Sequence, residues 1–152
     1  MTDYGLVNAV ADEVRPFQKR INAEDIMIFA DVQVKHSKMV DKNKTLTESI
    51  NQAKKYNIDA LIVTGKWTGD APNVEDLKES QKASDGVPVI IGSGVDEHNI
   101  GLLKLYVDGY VVGTSLKEGS KKSKEEQVNI KGYDKRVNLG KVKKLVNKNR
   151  IY

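Results

Sequence analysis

Short runs in which every residue is apolar recur along the chain, separated by stretches whose apolar residues return every three or four positions. An all-apolar run of this length reads as a parallel strand buried on both faces, and the three-to-four spacing reads as a helix with one inward face. The first helix spans Gly5 to Ile21, with Leu6, Val10, Val14, Phe17 and Ile21 on one face; Pro16 lies inside that pattern and implies a kink or a late start. Ile26 to Ala30 is the first strand. Thr45-Leu46-Thr47-Glu48 forms a capping box that opens a second helix to Tyr56, with Leu46, Ile50 and Ala53 inward. Ala60 to Val63 is the second strand, and Asn73 caps a third helix with Val74 and Leu77 inward. Val87 to Ile91 is the third strand, and Asp96 caps a helix that runs to Leu103. Tyr110 to Val112 is the fourth strand, and Asn138 caps a last helix with Val142, Leu145 and Val146 on one face.

Strands alternating with helices predict a parallel sheet with right-handed crossovers. The 152 residues suit one domain, residues 1–152, but fall well short of the roughly 250 typical of a whole β/α barrel. With 39% hydrophobic and 30% charged residues, the chain excludes disorder, and no apolar run approaches the length of a transmembrane segment. No export leader is visible, and the absence of cysteine rules out disulfides and thiolate metal sites. A cytoplasmic location follows. The net charge of +4 is uneven: from Leu116 onward, twelve Lys and Arg stand against four acids. The stretch 117–135 reads as a mobile basic loop. Such a tail could meet anionic lipid or nucleic acid, but no aromatic residues interleave the charges as stacking platforms, which disfavours nucleic acid.

Candidate chemistry gathers where strands end, since parallel sheets carry their sites at the strands' carboxyl ends. The first end offers Asp31, Lys35 and His36: a carboxylate, an ammonium and an imidazole suited to general acid–base catalysis. An Asp31–Lys35 ion pair that merely fixes the loop is the structural alternative. The second end offers Thr64, Gly65 and Thr68, suited to orienting a substrate, or to ordinary turn chemistry. The third and fourth ends are Gly92-Ser93-Gly94 and Gly113-Thr114-Ser115. Small residues let main-chain N–H groups approach an anion closely, and two such turns on consecutive strands point to a phosphate seat after the last two strands of a β/α barrel. Tight turns without a ligand are the alternative. Metal ligation has little support. Asp31, Asp70 and Asp96 could hold Mg²⁺ beside a phosphate, but their spacing does not demand it, and no cofactor is implied.

Four segments carry a family resemblance: Ala30-Asp31-Val32-Gln33-Val34-Lys35-His36; Ile58 to Gly65 with Thr68-Gly69; Pro88 to Val95 with Asn99; and Asp108 to Lys117. In this order they closely resemble the BtpA/SgcQ family, and the likeness extends through Val137-Asn138 to Val146. The resemblance implies a phosphate-binding TIM barrel, distantly similar to phosphoribosylanthranilate isomerase. Family members are associated with photosystem I accumulation, membrane biogenesis or sugar-utilisation gene clusters, and no reaction is firmly attached to the family.

The chain resembles only the C-terminal half of such a (β/α)8 barrel, about four parallel strands with outer helices, and its polar run from Lys117 to Lys131 looks expanded. An open half sheet would leave an apolar inner face and two unpaired edges. The implied remedies are a homo-oligomer, in which two copies close one barrel, or a separate N-terminal half-barrel chain. Two functions follow: binding, with or without catalysis, of a phosphorylated small molecule such as a sugar or nucleoside phosphate, or a non-catalytic, membrane-associated biogenesis role that uses the barrel as a scaffold.

Overall fold

Four short parallel strands lie side by side in chain order, β1-β2-β3-β4. The computed structural model describes residues 10–34, 40–66, 69–119 and 135–150. The strands are β1 (Phe29–Val32), β2 (Ala60–Val63), β3 (Val89–Ile91) and β4 (Gly109–Tyr110). The helices are α1 (Ala11–Arg20), α2 (Leu46–Lys54), α3 (Val74–Ser84), α4 (Ile100–Leu103) and α5 (Leu139–Arg150), with 3-10 turns at Lys104–Tyr106 and Thr114–Leu116. Each strand is joined to the next through a helix, so this is one half of a (β/α)8 barrel, in agreement with the alternation in the sequence.

Register decides which side chains meet. Val32 pairs with Val63, Val63 with Ile91 and Ile91 with Tyr110, while Leu61 pairs with Val89. Paired residues share a sheet face. Val32, Leu61, Val63, Val89 and Ile91 are buried and pack with Ile50 of α2, Leu77 of α3, Ile100 and Leu103 of α4 and Leu145 of α5. This is the core, and it lies between the sheet and the helices. Fully burying a side chain such as Leu77 contributes about 2–3 kcal/mol.

The opposite face carries Phe29, Asp31, Ala60, Ile62, Ile90 and Gly109, related by the same register, and of these Ala60 is buried. Phe29 and Asp31 are exposed there, and Ile62 and Ile90 are only partly covered.

Local rules held at several helix starts. Thr45 forms the capping box with Glu48, Asn73 Oδ1 accepts from Asp76 N at 2.7 Å, and Asn138 Oδ1 accepts from Lys141 N at 3.1 Å.

Others failed. β1 begins at Phe29, three residues later than Ile26, because the strand is positioned by pairing with Ala60–Val63; Ile26 and Met27 lie outside it and are exposed. Asp31 therefore sits within the strand rather than at its end. Asp96 does not cap α4: its Oδ1 accepts from His98 N at 2.7 Å and Asn99 N at 3.0 Å in a turn ahead of the helix. The apolar stripe of α1 is not buried, since Val10, Val14, Phe17 and Ile21 are all exposed and only Gln18 of this helix is buried. Pro16 lies inside α1, within the helical pattern read for it.

The expected loop 117–135 falls mostly outside the described residues, but its two ends meet. Lys117 bridges Val137, Glu118 N donates to Arg136 O, and Lys141 Nζ donates to Lys117 O. The chain on either side is thereby held together before α5.

The strand starts share one device. Asp59, just before β2, accepts from Ile28 N at 2.6 Å and from Arg15 at 2.7 Å. Asp108, just before β4, accepts from Val89 N at 2.8 Å. In each case a carboxylate holds the N–H at the entry of the preceding strand. This end of a parallel barrel serves stability, and the opposite end is left for chemistry.

Candidate functional site

At the carboxyl ends of β3 and β4 a cavity of about 190 Å³ opens between the two turns singled out in the sequence. Gly92, Ser93, Gly94, Gly113, Thr114 and Ser115 all line it, together with Gly69, Val95, Asp96 and Val111. The main-chain N–H groups of Gly94, Val95, Gly113 and Thr114 donate to no acceptor among the described residues. Unpaired N–H groups around a small concavity are the elementary means of holding an oxyanion.

The hydroxyls are differently employed. Ser93 is buried; its Oγ donates to Asp70 O at 2.8 Å and accepts from Gly65 N at 3.3 Å. Ser115 Oγ donates to Val95 O at 2.7 Å. Ser93 thus ties the end of β3 to the β2 loop, and Ser115 ties the β4 turn to the β3 turn. Both shape the cavity through the backbone. Thr114, at the start of its 3-10 turn, is the remaining hydroxyl in the lining.

Glycine is required at position 94, where φ is +75° and a Cβ would overlap the main chain of Asp70 and Ala71. That crowding is how the β2 loop closes onto the β3 turn. Gly113 is the opposite case, because a Cβ there would meet nothing within 4 Å.

Asn99, which sequence chemistry alone did not assign a role, clamps the third turn. Its Nδ2 donates to Gly94 O at 2.8 Å and its Oδ1 accepts from Asp96 N at 2.9 Å. Asp96 is the one acidic residue in the lining, and one of its oxygens is held by the N–H groups of His98 and Asn99.

The second strand end contributes a different feature. Thr64 Oγ1 is buried with no hydrogen-bond partner. Its methyl lies where a Cβ on Gly92 would come within 2.9 Å, so Thr64 borders the third turn. A buried hydroxyl without a partner costs free energy. Gly65 N is occupied by Ser93, and Thr68 lies outside the described residues.

Asp31 is not part of the β3–β4 cavity. It lines a separate groove of about 260 Å³ with Ala11, Val14, Ile28, Gln33 and Lys44. β1 stands two strands from β3, roughly 10 Å across the sheet. Lys35 and His36 lie outside the described residues. Among the described residues no three His, Asp or Glu side chains are grouped to hold a metal ion. No described helix is long and apolar enough to cross a membrane.

Fold and rim together define a class: a half of a parallel β/α barrel with a glycine-lined cavity after its last two strands. The chain belongs to the BtpA family, whose model matches residues 1–142. It is 38% identical over 116 residues to the photosystem I biogenesis protein BtpA of Synechocystis sp., covering 76% of this chain and 40% of that one. It is 34% identical over 147 residues to an uncharacterized protein of Methanocaldococcus jannaschii, covering 96% and 50% of the two chains. A Caenorhabditis elegans mitochondrial protein, also uncharacterized, is 32% identical over 120 residues, or 78% and 43% of the two chains. The chain therefore spans about half the length of the curated relatives it matches.

Proposed function

We propose that the β3–β4 rim binds the phosphate of a small phosphorylated molecule, a sugar or nucleoside phosphate. The observation that carries this reading is the group of four N–H donors, on Gly94, Val95, Gly113 and Thr114, that meet no acceptor among the described residues around one cavity. Ser93, Ser115 and Asn99 hold those N–H groups in place through the bonds described above. Gly92 and Gly94 let the turns approach one another. Thr64, with its unpartnered hydroxyl, orients the body of the ligand, and Gly65 and Thr68 belong to the same loop. In this reading Asp31, with Lys35 and His36 following it in sequence, serves the end of the ligand farthest from the phosphate. A separation of roughly 10 Å between β1 and β3 suits a molecule of sugar-phosphate size or larger. Catalysis there would rest on positioning and proton transfer.

Calorimetric titration with inorganic phosphate and with ribose 5-phosphate tests the proposal. Saturable binding that Gly113→Asp abolishes supports it, because this substitution places a carboxylate in the seat without a steric clash. Affinity unchanged by Gly113→Asp removes it.

A second reading is favoured by the name of the Synechocystis relative, a photosystem I biogenesis protein. In that reading the barrel is a scaffold for assembly at a membrane surface, and the basic C-terminal stretch, residues 117–152, meets anionic lipid. Liposome sedimentation separates the two. Salt-sensitive binding that is lost when residues 117–152 are removed favours the scaffold.

A further inference from the structure

Among the described residues that line the β3–β4 cavity there is no lysine, arginine or histidine, and the one ionisable side chain is the carboxylate of Asp96. Main-chain dipoles alone therefore face a ligand there, beside one fixed negative charge. A carboxylate next to a fully ionised oxyanion repels it. No described cation pairs with Asp96 to cancel that charge. The imidazole of His98, two residues on, sits instead with its Nε2 3.4 Å from Glu97 Oε1. Asp96 is also held in one place. Its Oδ1 accepts from His98 N at 2.7 Å and Asn99 N at 3.0 Å. Asn99 Oδ1 accepts from Asp96 N at 2.9 Å, and Asn99 Nδ2 donates to Gly94 O at 2.8 Å. The carboxylate and the Gly94–Val95 turn are thus one bonded unit. Asp96 Oδ2 meets no donor among the described residues. A fixed acceptor beside fixed donors complements an oxyanion that brings a donor of its own.

We propose that Asp96 sets the specificity of the rim, an inference that rests on reading the rim as an oxyanion seat. The rim takes a phosphoryl group in its singly protonated form and rejects sulfate. The P–OH donates to Asp96 Oδ2, and the other oxygens accept from the N–H groups of the two turns. A phosphate monoester can present that hydroxyl, because its second proton titrates at about pH 6. Sulfate has no O–H at such a pH. A bond from O–H to a carboxylate is charge-assisted and among the stronger hydrogen bonds. An anion without the hydroxyl sets bare negative oxygens against Asp96, so repulsion takes the place of a bond, and discrimination follows from the mismatch as much as from the match. The singly protonated monoester has one P–OH, which one carboxylate satisfies. A second carboxylate, as in Gly113→Asp, has none left to meet.

The test titrates the chain by calorimetry with inorganic phosphate and with sulfate, at about pH 6 and constant ionic strength. The proposal expects phosphate to bind at least about tenfold more tightly than sulfate. Asp96→Asn keeps an oxygen for His98 N and Asn99 N and turns the free acceptor into an N–H donor. It should bring the two anions within about threefold of each other, through a gain in sulfate affinity. Loosened packing would weaken both anions alike and would not produce that gain. Equal affinities in the unsubstituted chain would overturn the proposal, and so would a preference for phosphate that survives Asp96→Asn. In either case phosphate binding that Gly113→Asp abolishes leaves the seat itself standing. Binding of neither anion ends the seat and this inference together. Should Asp96→Asn fail to fold, Asp96→Ser, which keeps a hydroxyl oxygen for His98 N, takes its place: loss of the preference supports the proposal, and its survival overturns it.

Discussion

Ser93 Oγ donates to the main-chain carbonyl of Asp70 at 2.8 Å, so one buried hydroxyl fixes the loop after β2 against the end of β3. The same oxygen accepts from Gly65 N. Removing it leaves a carbonyl and an N–H without their partner next to a turn that cannot move away. Ser93→Ala should therefore cost about 1–3 kcal/mol in a urea titration. Gly65 and Gly69–Ala71 should exchange faster, while the helices farther away keep their protection.

The glycines of the rim should separate by role. Gly94→Ala forces a side chain against Asp70 and Ala71 at φ +75°, and should lower thermal stability by several degrees or prevent folding. Gly113→Ala meets open space and should leave the melting temperature within a degree or two. Equal melting temperatures for the two variants would show that the rim is not packed as described.

Asp59 links stability to pH. The Ile28 N–H, followed by the Arg15 guanidinium, holds its carboxyl below the usual aspartate value. A carboxyl depressed in the folded state stabilises above its unfolded pKa, and that contribution is lost as pH falls through the folded value. Asp59→Asn should be less stable than the parent at pH 7, and the difference should shrink steadily below about pH 4. A difference independent of pH would contradict the charge-assisted bond.

Asp76 behaves in the opposite sense. Burial, then Glu79 and Glu75, raise its carboxyl above the ordinary value. A raised aspartate favours the folded state below its unfolded pKa and opposes it as pH rises through the window between the two values. Asp76→Asn keeps an oxygen for Asn73 Nδ2 and removes the charge. It should melt higher than the parent at pH 7 and equal to it near pH 3.

Much of this architecture was legible because it depends on local rules. The apolar run Ala60–Val63 became a strand with the bounds read for it, the strand read over Val87–Ile91 begins at Val89, and Thr45, Asn73 and Asn138 began helices as their side chains dictate. The two small-residue turns after β3 and β4 were legible as turns, and they line one cavity. What failed depended on the rest of the fold. Ile26 and Met27 look like strand residues, yet pairing with Ala60–Val63 sets β1 farther along. The stripe on α1 has correct helical spacing, but the described residues offer it no surface. The structural use of Ser93 and Ser115 could not be read either, because their acceptors are main-chain carbonyls brought close only by folding. A fainter signal was missed: Asp59-Ala60 and Asp108-Gly109 place the same carboxylate just ahead of β2 and β4, and both hold the entry of the preceding strand.

Amide chemical-shift mapping with inorganic phosphate tests the central claim most directly. The largest saturable shifts should fall on Gly94, Val95, Gly113 and Thr114, with smaller ones on Asn99 and Thr64. Saturable shifts centred on the β1 groove, or none at saturating phosphate, would contradict the assignment of the rim as an oxyanion seat.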